Sequence, residues 1–274
     1  MQLALNGATT MQADLVSDIR IANDAGFAWL EIWSAKLKEF LRTYTPSDLN
    51  ELFDQYQVTP YSINSIEHIT FRDSEGFAQL SDECEEMCAI AEQIGCPYVV
   101  VVPSPLPYEA DQEEVIEESV RTLRDIAGIA QFHSVSLAFE FLGQPGCSVP
   151  TLGLANEIIR QVDKPNVGLV LDSFHFYAGG STLDDIYAVK PEKLYIFHIN
   201  DAEDLPRPQL EDRHRLLPGL GILPLAEIVG ALKKIGYEGV ASIEIFRPEY
   251  WQREALTLAR DAYAAAARII EAAK

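Results

Sequence analysis

Val167-Gly168-Leu169-Val170-Leu171-Asp172 is an unbroken nonpolar run that ends on a carboxylate. A run this short and this uniform reads as a strand buried on both faces, because a strand with one wet face would alternate. Three further runs share the design: residues 135–141 carry Glu140, 194–199 carry His198 and 240–246 carry Glu244. A buried strand keeps an ionisable side chain only where something offsets its desolvation. Four such side chains, at or near the ends of four successive strands, point to one shared centre, and a divalent metal is its natural occupant.

Outward from these runs the chain alternates. Strand-like segments fall at 3–6, 29–33, 60–64 and 98–103, ahead of the four above. Amphipathic helical patterns separate them, at about 11–26, 46–56, 77–94, 111–132, 150–162, 182–189 and 224–236, and a last one at about 252–272 closes the chain. Gly26, Gly95 and Gly236 each follow a helical pattern, where a left-handed cap is expected. Thr45-Pro46-Ser47-Asp48 and Gly180-Ser181-Thr182-Leu183-Asp184 have the composition of helix starts. Eight β/α units in 274 residues predict an α/β protein, a single-domain (β/α)₈ TIM barrel over 1–274. An open doubly wound sheet would carry a glycine-rich phosphate turn after its first strand, and Asn6-Gly7-Ala8-Thr9-Thr10 is no such turn. In a barrel the chemistry sits at the C-terminal strand ends, where Glu140, Asp172, His198 and Glu244 fall.

Composition narrows the function. With 42 acidic and 21 basic residues the formal charge is −21, which disfavours nucleic acid and anionic membrane surfaces and leaves a small neutral substrate. The N-terminus lacks a basic stretch ahead of an apolar one, and no run is long enough to span a bilayer, so a cytoplasmic protein is expected. Four cysteines suit a reducing compartment; Cys84 and Cys88 lie four apart on a helical pattern and read as small buried side chains. The final helix is rich in alanine, and both packing on the barrel and pairing in a homo-oligomer are open to it.

Three carboxylates and one imidazole make an oxygen-rich site that suits one divalent ion, Mn²⁺, Co²⁺ or Zn²⁺, with Mg²⁺ also in range. His175, three residues past Asp172, is a candidate further ligand or substrate contact. Asn6, Glu31 and Asn64 end the first three strands and are candidate hydroxyl partners, with ordinary hydrogen bonding in the surrounding shell as the alternative. Arg72, in the loop after strand 3 with His68, and Arg215, in the loop before the seventh helix, are candidate substrate contacts, with a local Arg72–Asp73 ion pair as the alternative for Arg72. Trp33, Tyr250 and Trp251 are candidate pocket walls.

The set Glu140, Asp172-x-x-His175, His198 and Glu244 resembles the xylose isomerase-like sugar isomerase and epimerase superfamily. Longer stretches extend the likeness over nearly the whole chain: Ala138–Gly143, Asn166–Phe176, Ser242–Tyr250, Leu5–Thr10 and Phe71–Gly76. The resemblance implies that Glu140, Asp172, His198 and Glu244 bind the metal and that His175 meets the substrate. It also implies an enzyme that moves a proton beside a ketone, with a cyclic keto-polyol as substrate. For such a reaction Glu140 and Glu244 are the candidate catalytic pair, one on each face of the substrate, one removing the proton and the other helping to deliver it. A dehydratase and other keto-sugar isomerases or epimerases are the enzymatic alternatives, and a polyol-binding module is the non-enzymatic one. Ketose epimerases of the superfamily carry an arginine soon after the His198 position. Here Ile199-Asn200-Asp201-Ala202-Glu203-Asp204 has none, and the nearest are Arg207, Arg213 and Arg215.

Overall fold

A computed structural model describes residues 1–108 and 110–273. Eight parallel strands close into a barrel: β1 (Gln2–Asn6), β2 (Trp29–Trp33), β3 (Thr59–Ile66), β4 (Tyr98–Val101), β5 (Ser136–Glu140), β6 (Val167–Asp172), β7 (Leu194–Ile199) and β10 (Val240–Ile243). Between β7 and β10 two short strands, β8 (Asp201–Ala202) and β9 (Arg215–Leu216), pair antiparallel. Closure comes from β1, which pairs with both β2 and β10, so no barrel edge is left open.

Alternation along each strand explains the burial. On β5, β6 and β7 the residues two apart, Ala138 and Glu140, Val170 and Asp172, Ile196 and His198, share one face. Val100, Ala138, Val170 and Ile196 belong to one apolar cluster, which fills the barrel one layer below the ionisable residues. The intervening side chains, among them Leu137, Phe139, Leu169, Leu171, Phe197 and Ile199, join the larger core under the helices.

The helices follow from their ends. Thr45 and Asp48 form a reciprocal capping box ahead of Pro46–Tyr56, and Thr182 and Asp185 form one ahead of Leu183–Tyr187. Gly26, Gly95 and Gly236 all adopt positive φ, as the sequence requires. The alanine-rich helix Ala255–Ala272 packs on Leu15–Ala25, on Leu225–Lys234 and on β1. Three short helices begin directly after strands or loops and escape the periodic pattern: Ser34–Phe40, Ser173–Ala178 and Pro248–Trp251. The last barrel strand is also shorter than expected, so Glu244 lies one residue past its end.

Candidate metal centre and substrate cavity

The four strand-end residues meet. One ligand atom each from Glu140, Asp172, His198 and Glu244 lies within 4.8 Å of the others, and all four residues are buried. That spread is close to what a single ion about 2.1 Å from each donor requires. Asp172 and His198 sit side by side in the β6–β7 register, and Ser242, two residues before Glu244, pairs with His198 from the other side. The imidazole Nδ1 is 2.9 Å from Glu140 Oε1, 3.4 Å from Glu244 Oε2 and 3.9 Å from Asp172 Oδ2. Its Nε2 is 3.0 and 3.1 Å from the two oxygens of Glu31. Glu31 therefore occupies the far nitrogen and turns Nδ1 toward the three carboxylates, an arrangement that fits a divalent metal.

The electrostatics follow from packing so many acids out of water. Burial pushes Glu244 up to about 8, with Glu140 beside it opposing the pull of His198 and Arg215. Burial raises Asp172, but the Arg215 guanidinium together with the charge of His198 and the His175 backbone N–H outweighs it and holds that carboxyl below the usual range. Glu31 is likewise fully buried, which raises it, but the charge and hydrogen bond of His198 lead the opposing effects that bring it below its ordinary value. His198 is held well above its ordinary value, since Glu244, Glu31 and Glu140 overcome its own desolvation.

Arg215 is the largest fully buried side chain among the described residues. Its Nη1 donates to Asp172 Oδ2 at 2.8 Å and to Glu244 Oε2 at 2.9 Å. Its Nε and Nη2 donate to Asp212 Oδ1 at 3.1 and 2.9 Å. The guanidinium lies between the rings of Phe174 and Phe246, 5.0 and 5.2 Å from their centroids. Nη2 also meets His175 Nε2 at 3.0 Å. An arginine can only donate, so His175 Nε2 accepts and the proton of the neutral ring rests on Nδ1. Burial keeps the ring neutral by lowering its pKa. Nδ1 is buried without a hydrogen-bond partner among the described residues, which leaves it free for a ligand.

His175 is placed by its helix. Asp172 caps Ser173–Ala178, with Oδ1 accepting from the His175 backbone N–H at 2.8 Å. Gly143 packs against the same turn: a Cβ there would stand 2.2 Å from the His175 carbonyl oxygen. Above the four ligands opens a cavity of about 240 Å³. Glu140, Glu244, His175, Arg215 and Asn64 line it, together with Trp33, Phe246, His68, Gln144 and Asp212.

Several expected contacts sit elsewhere. Asn6 is fully buried and donates to Glu244 Oε1 at 3.1 Å, so it orients a ligand from outside the cavity. Asn64 both lines the cavity and donates to the same oxygen at 2.7 Å. Arg72 is not brought to the site: its guanidinium is spent on the carbonyls of Glu67, His68 and Gly76 within its own loop. Glu31 holds His198 and does not face a substrate. Tyr250 packs under Arg247 and Arg253, and Trp251 donates to the Ala8 carbonyl, so Phe246 takes their place beside Trp33. In the loop that carries Arg215, Gly219 and Gly221 donate their N–H groups to Asp201 Oδ2. Cys84 and Cys88 are free and buried. Asp212 and Gln144 were not marked by any sequence pattern; both come from loops, and a Gln144–Asp212 hydrogen bond joins them across the mouth.

The closed barrel and the four candidate ligands at its strand ends define a class. Residues 19–268 match the family model for the xylose isomerase-like TIM barrel, and the chain belongs to that family. Within it the chain is 37% identical to the inosose isomerase of Bacillus subtilis (strain 168), over 92% of this chain and 91% of that one. It is 36% identical to the inosose isomerase of Halalkalibacterium halodurans, over 95% and 94%. Among solved structures it is similar to a crystal structure of an IOLI protein with a bound zinc atom, with a TM-score of 0.97 and 35% identity over 100% of this chain and 99% of that one. A D-psicose 3-epimerase from Clostridium cellulolyticum H10 shares the fold at a TM-score of 0.81 and 21% identity, each chain covered in full. No helix of the described residues is long and apolar enough to cross a membrane.

Proposed function

We propose that this chain is a metal-dependent isomerase of keto-inositols, which moves a ketone to the neighbouring ring carbon by way of an enediolate. The observation that carries it is the convergence of Glu140, Asp172, His198 and Glu244, of which Glu140 and Glu244 line a cavity sized for one monocyclic polyol. Full-length similarity to inosose isomerases supports the substrate class. A divalent ion held by those four residues, zinc among the candidates, would supply Lewis acidity toward a carbonyl and its neighbouring hydroxyl.

The chain's own groups then divide the work. Glu140 Oε1 and Glu244 Oε2 lie 2.9 and 3.4 Å from His198 Nδ1, so each glutamate has an oxygen near the candidate ligand cluster. One takes the proton from the hydroxyl-bearing carbon, and the other helps return a proton to the former carbonyl carbon. The hydroxyl proton crosses between the two oxygens, so product and substrate have equal mass. His175 offers its Nδ1–H to an oxygen on which charge develops. Arg215 and Asn64 set the Glu244 carboxylate, and Trp33 with Phe246 shields the reacting face from water. Every group in this scheme comes from one barrel, and we take 1–274 as one catalytic domain. The four free cysteines fit work in the cytoplasm.

The test is proton NMR of metal-reconstituted protein with 2-keto-myo-inositol in deuterium oxide. An isomeric ketone carrying deuterium on the carbon next to the carbonyl is the expected product. Loss of one water would assign a dehydratase instead, and absence of both exchange and turnover with Mn²⁺, Co²⁺ and Zn²⁺ would overturn the proposal in favour of a binding module.

A further inference from the structure

Arg215 reaches the centre of the barrel from a long loop and not from a barrel strand, which raises the question of what holds it there. The loop begins at Asp201, whose side chain is 1% exposed. Its Oδ1 accepts from the backbone N–H of Leu223 and of Ala202, both at 2.9 Å. Its Oδ2 accepts from Gly219 and Gly221 N–H, also at 2.9 Å. One carboxylate thus gathers four backbone donors and ties the loop's end at 219–223 to its beginning. Among the described residues no cation pairs with it; four amide dipoles surround the carboxylate instead. Gly221 is required by this closure, because a Cβ there would stand 2.1 Å from the Ala202 carbonyl oxygen and 2.5 Å from Asp201 Oδ1. The same stretch forms the β8–β9 ladder, in which Asp201 pairs with Leu216 and Ala202 with Arg215 itself. The backbone that carries the guanidinium is therefore fixed against the residue next to Asp201.

We propose that Asp201 is a positioning residue for the reaction: by bracing the 201–223 loop it holds the Arg215 guanidinium between Asp172 and Glu244. The proposal rests on the assignment above of Asp172 and Glu244 as metal ligands and of Arg215 to the substrate cavity. The hydrogen bonds of the Asp201 side chain among the described residues all go to loop backbone and none to a cavity-lining group. It acts only through the loop, and its loss leaves all four candidate ligands on their strands.

The experiment combines two readouts on the metal-loaded full chain. In protein labelled with ¹⁵N-arginine, Arg215 Nε–H is a buried, bonded group with a slowly exchanging resonance, identified by its absence from Arg215→Gln. Asp201→Asn keeps the shape but turns one acceptor into a donor facing N–H groups. It is expected to speed exchange of that resonance by about tenfold or more and to lower kcat toward 2-keto-myo-inositol by about 10²-fold, the scale of a displacement near 1 Å. Metal affinity should stay within about threefold, and the double variant should match Arg215→Gln alone in kcat. A merely structural residue would instead give multiplied losses. If Asp201→Asn does not fold, Gly221→Ala breaks the same brace from its other side with the same expected signature. Unchanged exchange at Arg215, or multiplied losses, overturns the proposal. Full activity in Arg215→Gln would overturn the assignment of Arg215 in the proposed function, while the exchange rate still decides whether Asp201 holds it.

Discussion

Glu31 holds His198 by the nitrogen that points away from the candidate metal. Both of its carboxylate oxygens lie within 3.1 Å of Nε2, and both side chains are fully buried. The pair spans the barrel from β2 to β7. A buried carboxylate on the far nitrogen fixes which tautomer is present, sets the plane of the ring and raises the basicity of the near nitrogen. The geometry at the centre thus depends on a residue that touches neither metal nor substrate.

Glu31→Gln should therefore weaken metal binding while the barrel still folds. The amide oxygen can accept from Nε2–H, but the negative charge that strengthens the near nitrogen is gone. A loss of about 10-fold in affinity is expected, at the lower end of the range for groups behind a ligand. Competition with a chromophoric chelator measures it, and an unchanged constant would show that Glu31 serves packing alone.

Glu244→Gln separates catalysis from folding. The substitution preserves volume, and Asn6, Asn64 and Arg215 remain around the group. At saturating metal, kcat should fall by about 10²–10⁴-fold, the usual contribution of a positioned acid–base group, while thermal unfolding shifts by only a few degrees. Glu140→Gln should behave alike. Retained turnover in either variant removes that glutamate from the proton-transfer pair.

Much of this site was legible before any coordinates, and the physical reason is desolvation. Acids and a histidine inside apolar runs are costly unless they meet, so Glu140, Asp172, His198 and Glu244 were marked by their surroundings. Glu31 carried the same mark, lying in Trp29-Leu30-Glu31-Ile32-Trp33, and pairing it with a buried histidine across the barrel was the missing step. The residues that were not found come from loops. Asp212, Gln144 and Asp201 have no periodic context, and β8 and β9 are two residues each, too short for any alternation to register. The short helix Ser173–Ala178 was hidden for a related reason: it begins at once after β6, with Asp172 serving as strand end, cap and candidate ligand together. A loop arginine such as Arg72 looks the same in sequence whether its donors face a substrate or, as here, the carbonyls of Glu67, His68 and Gly76.

Arg72→Ala is accordingly expected to leave kcat and KM within about twofold of the parent. Its three hydrogen bonds close the 67–76 turn, so the change should appear in local stability: about 1 kcal/mol per bond is the ordinary scale for bonds of this kind. Amide hydrogen exchange would localise the loss to that loop. A KM raised tenfold would return Arg72 to the substrate site.

His133 gives the fold a pH dependence that is independent of the metal centre. The ring lies at the end of Gln112–Phe132, with Nδ1 2.9 Å from Glu92 Oε2 and Nε2 2.9 Å from Glu85 Oε1, both on the neighbouring helix Ser74–Gln93. Hydrogen bonds to Glu92 and Glu85 raise the histidine above its ordinary 6.5. A histidine raised on folding stabilises the native state fully below its unfolded value near 6.5, and that contribution is lost as pH rises through the higher folded value. Both glutamates are more than half exposed, at 56% and 54%, so solvent screening limits the effect to about 1 kcal/mol or less. Thermal unfolding of the parent and of His133→Gln, followed from pH 5 to 9, should show the parent ahead at the acid end and the two curves converging at the alkaline end. Parallel curves across that range would mean that the two glutamates do not bind the ring as a cation.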